Sequence, residues 1–172
     1  TNTGKIELYS TEFADAGFDA MPIYKPHPEP PQNFYRLIYG RAPMHTFSRT
    51  INNHNLWDLM KENSVWINPK IAALWELDNG DYIWLKNQDN VVTSFPVKVR
   101  VTERIRWDSV YMVHGFGHSD KKLTRAYGHG ASDEKMITHY AQDPIMGGTG
   151  MRVNFVTFLK EKPEKQGEED KA

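Results

Sequence analysis

The alternation of hydrophobic and polar positions along the chain predicts a series of short strands. Residues 4–10 alternate charged and apolar side chains with period two (Lys5 and Glu7 against Ile6 and Leu8), the pattern of a strand with one buried face. Residues 34–39 are rich in aromatic and β-branched side chains and predict a second strand. Further strands are predicted over 64–67, 82–85, 91–102, 109–113 and 153–159. Within 91–102, Val97, Val99 and Val101 alternate with Lys98, Arg100 and Thr102, so one side of that strand is wet.

Helical patterning is brief. Residues 11–17 predict a short helix, and Asn53 sits where an N-cap would start another. Asn68-Pro69 opens a third, with Asn as cap and Pro at the first helical position, and Ile71, Leu74 and Trp75 on one face. Asp78-Asn79-Gly80-Asp81 and Asn87-Gln88-Asp89-Asn90 read as turns. Five prolines between 22 and 31 make an extended, polyproline-like arm, of the sort that lies along a surface or spans two domains. The glycine-rich stretch from 114 to 150 is too long for an idle connection. Short strands, turns and brief helices together imply an all-β barrel or sandwich.

Composition narrows the function classes. A chain of 172 residues supports one well-buried domain, and 39% hydrophobic with 25% charged residues is globular composition. A net charge of -1 and a pI near 6.6 argue against general nucleic-acid binding. No apolar run is long enough for a membrane span, so direct membrane insertion is not expected. The absence of cysteine excludes thiolate metal sites, Cys-ligated iron–sulfur clusters and a cysteine nucleophile within these residues. The opening Thr1-Asn2-Thr3 lacks methionine, which suggests a piece of a longer polypeptide.

The most informative chemistry follows the strand over 34–39. It breaks at Gly40 and opens into a loop bearing Arg41, His45, Thr46, Ser48, Arg49, Thr50 and Asn52. Glycine lets backbone N–H groups approach a ligand, guanidinium offers a planar fork to phosphate, and hydroxyls fill the remaining acceptor sites. That is the chemistry of an anion cradle, although solvated loops have a similar composition. Seven histidines, notably His114, His118 and His129, admit a metal reading, but they lie in loops without helical spacing to fix them. Asp78 and Asp81 suit a tight turn better than calcium. The five tryptophans suit core and interdomain contacts better than base stacking. Gly147-Gly148-Thr149-Gly150 lacks the Lys and following helix of a nucleotide-hydrolysing loop.

Taken in order, several pieces carry a resemblance. They are Gly4-Lys5-Ile6-Glu7-Leu8-Tyr9-Ser10, Gly40-Arg41 with His45-Thr46 and Ser48, Ile67-Asn68-Pro69 with Ala72, and Leu77-Asp78-Asn79-Gly80-Asp81. Val101-Thr102, Gly115-Phe116-Gly117 and Asp143-Pro144 continue the series. The chain resembles the C-terminal dinucleotide-binding domain of the molybdopterin oxidoreductases, the dimethyl-sulfoxide-reductase family. It is most similar to the thiosulfate and polysulfide reductase catalytic subunits.

The resemblance implies a mainly β fold, a six-stranded double-psi β-barrel with a few short helices. It covers a lead-in strand and Pro-rich arm (1–33) and the barrel (34–160), while the charged, apolar-poor residues 161–172 predict a disordered tail. It implies binding of molybdopterin guanine dinucleotide, with the molybdenum and an iron–sulfur cluster held by other domains of a parent catalytic subunit. Expected partners are those domains and, in the parent complex, electron-transfer and membrane-anchor subunits. The branch further implies a periplasmic setting and a parent that reduces thiosulfate or polysulfide, the fragment alone being no catalyst.

By position, Gly40, Arg41, His45, Thr46 and Ser48 match the loop that contacts pterin and diphosphate, and Arg152 and Asn154 match late basic and amide positions. Where the family often carries an Asn-bearing motif, this chain has Ala131-Ser132-Asp133-Glu134, so Ser132 or Asp133 stands in for the amide. Two other classes stay open: a protein-interaction module, and a decarboxylase-like barrel enzyme, which would need a Gly-Ser pair that the sequence lacks.

Overall fold

Strands form where an alternating segment finds a neighbour on each side. In the computed structural model of the chain, which describes residue 1 and residues 3–163, six strands do so and close into a barrel. In chain order the elements are α1 (Thr11–Asp15), β1 (Tyr35–Gly40), α2 (His54–Trp57), β2 (Ser64–Ile67), α3 (Pro69–Trp75) and β3 (Tyr82–Asn87). They continue with β4 (Val97–Val101), β5 (Ser109–Val113), β6 (Ala141–Gln142), β7 (Thr149–Gly150) and β8 (Phe155–Leu159).

The barrel order is β1-β5-β2-β4-β3-β8, with β6 and β7 forming a separate two-stranded ribbon. β1 runs parallel to β5 and β2 parallel to β4, while the remaining barrel pairs are antiparallel. Parallel neighbours demand crossover connections, and two such pairs give the mainly β, six-stranded, double-psi barrel its winding. Closure leaves no unpaired edge. Inward positions alternate as the sequence requires: Val65 and Ile67, Ile83 and Leu85, Val97 and Val99 are buried, and they meet Leu37, Val110, Met112 and Val156 in one core.

The caps behave as the sequence indicates. The Asn53 side chain accepts from Asn55 N at 2.9 Å, and that of Asn68 from Lys70 N at 3.0 Å with Pro69 next. Asp81 closes the 78–81 turn by accepting from Asp78 N at 2.8 Å.

Four expectations are corrected. Residues 4–10 form no strand: no partner strand lies beside them among the described residues, Thr3 and Glu7 satisfy each other locally, and Ile6 and Leu8 are exposed. The strand expected over 91–102 is confined to Val97–Val101, because Val92 and Thr93 pair back onto Lys86 and Leu85 and Pro96 has no N–H to donate. On α3 the buried pair is Ile71 and Ala72, whereas Leu74 is exposed. The final strand starts at Phe155 rather than 153, because Arg152 and Val153 form a turn that leads into it. The β6–β7 ribbon inside the glycine-rich stretch has no alternating pattern to announce it. The tail expected over 161–172 lies, from residue 164 onward, outside the described residues.

Candidate functional site

Because β1 and β5 are parallel and in register, Gly40 opposite Val113, their chain ends leave the barrel at the same rim. His114 N donates to Gly40 O at 3.0 Å and ties the two exits together. The loops that follow, 41–53 and 114–133, therefore pack on each other. Asn52 Oδ1 accepts from Arg125 N at 2.9 Å and Ala126 N at 3.1 Å. Asn63, fully buried, donates to Val113 O at 2.7 Å and Ala131 O at 2.9 Å, and accepts from Ala131 N at 2.9 Å.

Two glycines make the crossing possible. A Cβ on Gly115 would stand 2.6 Å from the Phe47 carbonyl oxygen, and one on Gly117 would stand 2.4 Å from Ser132 N, with both residues at positive φ. Only glycine tolerates both the conformation and the approach. These contacts build a cleft of about 210 Å³ lined by Ser48, the backbone of 115–117, His118, Ser119, Ser132, Glu134 and Lys135. His118 Nε2 is buried and has no hydrogen-bond partner among the described residues.

The expected site residues fall into three groups. Ser48 and Ser132, far apart in sequence, line the same cleft. Arg41 stands on the adjoining loop, its guanidinium 4.6 Å over the Phe47 ring, which in turn meets His114 edge-on at 5.0 Å. Thr46 is exposed beside it, its N–H donating to Thr50 Oγ1 at 2.9 Å. Arg152 lines a neighbouring cleft with Tyr39 and His27, because β8 runs antiparallel to β1 and brings the residues before Phe155 alongside the end of β1. Neither Arg41, Arg152 nor Lys135 forms an ion pair among the described residues.

The second group is engaged inside the protein. His45 is buried, with Nε2 2.8 Å from Met60 O and Nδ1 3.3 Å from Thr50 Oγ1, so both ring nitrogens hold the loop instead of facing outward. Asn154 is fully buried in a five-bond junction with Gln88, Thr138, His139 and Met151. Asp133 is buried behind the cleft and accepts from Gly115 N at 3.3 Å.

Gly40 stands apart as a third case. Its missing Cβ makes room for Tyr111, whose hydroxyl would lie 2.8 Å away, rather than for a ligand. Asn63 and Lys135 escaped the sequence reading. An isolated Asn between two polar residues carries no pattern, and its partners are 50 and 68 positions away.

Burial pushes the Asp133 carboxyl above the usual aspartate range, outweighing the Gly115 hydrogen bond and the nearby His114 that pull it down. The folded state then binds more protons than the unfolded state between the ordinary aspartate value, about 4, and the raised one. Stability from this group is therefore greatest at low pH and falls as pH rises through that window. Asp133→Asn keeps the Oδ1 acceptor and removes the charge. The variant should be more stable than the parent sequence at pH 7, with the gap closing as pH approaches the ordinary value, as read from urea midpoints across pH.

The profile of the molydopterin dinucleotide binding domain matches residues 35–167, and the chain belongs to that family. The thiosulfate reductase molybdopterin-containing subunit PhsA of Salmonella typhimurium is 31% identical over 147 residues, covering 84% of this chain and 19% of that protein. A dopamine dehydroxylase of Eggerthella lenta is 28% identical over 179 residues, 95% of this chain and 17% of its own length. Among solved structures, acetylene hydratase from Pelobacter acetylenicus superposes with a TM-score of 0.67 at 19% identity, over 92% of this chain and 24% of that one, and so shares the fold. The chain spans about a fifth of the length of the curated relatives it matches.

Proposed function

We propose that the rim where β1 and β5 end holds the dinucleotide tail of molybdopterin guanine dinucleotide, within a larger molybdenum-dependent catalytic subunit. The carrying observation is the cleft itself. Ser48, Ser132 and the glycine-freed backbone of 115–117 line one space, with His118 beside them and with Lys135, whose ammonium donates to Ser94 Oγ at 2.7 Å, on the same wall. The two hydroxyls and a cation suit the oxygens of a diphosphate, while the N–H groups of Gly115 and Gly117 are spent on Asp133 and on His129 O and shape the wall. Arg41 and Arg152 add positive charge from the two sides of the β1 terminus. His45, Asp133 and Asn154 act behind these groups as positioning residues.

When bound, the cofactor supplies the metal for two-electron transfer, and this chain's part is to orient it and set the charge around its tail. No residue of this chain is assigned a catalytic role. The fit to an anionic group holds with one dissent: Glu134 lines the same cleft and suits an amine-bearing portion, such as a guanine edge, better than phosphate.

For the parent, we infer reduction of a small sulfur compound, thiosulfate or polysulfide, with iron–sulfur transfer supplied by another domain, electron-transfer and membrane-anchor subunits alongside, and a periplasmic setting. The support is the relative named as a thiosulfate reductase subunit. The longer match to a dopamine dehydroxylase, at slightly lower identity, supplies the second reading, in which the parent removes a hydroxyl from an aromatic substrate. Purified parent enzyme offered reduced dye with thiosulfate, polysulfide or a catechol separates them: turnover with the catechol alone would overturn the sulfur assignment.

The cofactor reading has its own test. Arg41→Ala in the parent subunit should weaken cofactor retention by about 2–3 kcal/mol, the loss of a charge-assisted phosphate contact. The measurement is molybdenum and pterin per purified subunit. Content equal to the unsubstituted enzyme would remove Arg41 from the site.

A further inference from the structure

A wide concavity that shares no lining residue with the rim cleft lies between the arm and the turn joining β6 to β7. It has a volume of about 590 Å³, and Leu8, Phe13, Phe18, Met21, Ile23 and Ile145 supply its apolar lining. Three of these remain largely uncovered: Leu8 is 73% exposed, Ile23 64% and Met21 53%. Scattered exposed hydrophobics are ordinary, but a groove lined by so many is not.

The local structure makes the same point. α1 is five residues long with none buried, too short to hold its shape without packing. The arm closes on itself through Ser10 N to Ala20 O at 2.8 Å and a Lys25–Asp19 ion pair at 2.7 Å, which fixes a bend yet leaves the apolar side chains facing out. A fold that invests hydrogen bonds in displaying hydrophobic groups implies something that covers them.

We propose that this groove is the docking surface for another domain of the same parent subunit, which inserts apolar side chains between the arm and the ribbon. The inference rests on the reading that this chain is one domain of a larger protein. Two observations choose this occupant over a second copy or a lipid surface. The relatives are about five times longer than the matched segment, so most of each subunit lies outside it. In addition, the match to the dopamine dehydroxylase covers 95% of this chain, whereas the family profile starts at residue 35. The relative's match must therefore run well into the arm, which travels with the larger subunit and not with the barrel alone. The lining also carries Glu7, Asp19, Lys25 and Asp143 at its edges, the mixed polar rim of a protein interface rather than the cationic rim of a membrane-surface site.

Hydroxyl-radical footprinting of the parent subunit, native against urea-unfolded, tests this. Leu8, Met21 and Ile23 should label about fivefold or more slowly in the native subunit, as buried interface groups do. Native rates within about twofold of the unfolded rates would overturn the proposal. So would protection that vanishes on dilution from dimer to monomer, which would make a second copy the occupant, or protection that requires added lipid vesicles. Ile23→Asp in the parent should speed trypsin cleavage after Lys5 by about tenfold by undocking the arm, and unchanged cleavage overturns the proposal equally. Pterin content measured on the same samples keeps the two readings apart. Protection without cofactor sinks only the cofactor site, and full cofactor without protection sinks only the docking surface.

Discussion

Asn63→Ala should cost on the order of 4 kcal/mol, the largest effect expected of any polar substitution in this chain. Removing the carboxamide strands Val113 O, Ala131 O and Ala131 N, three backbone groups held by one fully buried side chain. Each buried orphan costs roughly 1–3 kcal/mol, and partial relaxation into the space left behind keeps the total below the simple sum. Typical domains have about 5–15 kcal/mol in all, so the variant should sit near the edge of folding. Asn63 also fixes the end of β5 against the segment that carries Ser132, so the cleft should open even where the barrel survives. Asn63→Asp is the diagnostic companion. It keeps the acceptor for Ala131 N but sets a carboxylate against two carbonyls, and should be at least as damaging. Urea unfolding of both variants checks the claim, and a loss below about 1 kcal/mol for Asn63→Ala would show that water fills the gap.

The second large effect is expected at Asn154. Its Oδ1 accepts from Thr138 N at 3.0 Å, His139 N at 2.9 Å and Gln88 Nε2 at 3.2 Å, while its Nδ2 donates to His139 O at 2.7 Å and Met151 O at 2.6 Å. One side chain thus pins both roots of the excursion that carries β6 and β7. Asn154→Ala should cost about 3 kcal/mol, less than at Asn63 because His139 and Met151 lie at the surface and water can replace part of the network. The local effect should exceed the global one: amide exchange at Thr138 and His139 should rise toward solvent rates while the β2 and β4 amides stay protected. Protection retained at those two amides would show that the excursion has another anchor. Since Arg152 is two residues away, loosening this junction should also lower cofactor retention in the parent subunit.

These two residues show where reading from sequence stops. Their chemistry was visible, and for Asn154 a position near the cofactor was expected. What a carboxamide bonds to, however, depends on which backbone groups the fold leaves unpaired beside it. For Asn63 the partners lie 50 and 68 residues away, and no periodicity records such a distance. His45 and Asp133 illustrate the same limit. Both were expected to face the cofactor, and both are buried and turned to the loop backbone. Ser48 and Ser132, 84 positions apart in sequence, line one cleft, and no local pattern records that either.

The elements were legible where physics is local. Asn68-Pro69 caps and starts α3 through bonds within two residues, and the Val97–Lys98–Val99–Arg100 alternation assigns its own buried and wet faces. Residues 4–10 carried an equally regular alternation and formed no strand, because pairing needs a neighbour that sequence pattern does not supply. By itself, then, the chain determined its local elements, its lack of thiolate chemistry and, through an ordered set of short motifs, its family. Tertiary structure alone decided that β1 and β5 run parallel to one rim, which polar side chains reach the cleft, and which are consumed in holding it. Local bonding is written in neighbouring residues, whereas closing a barrel brings together backbone groups that are distant in sequence.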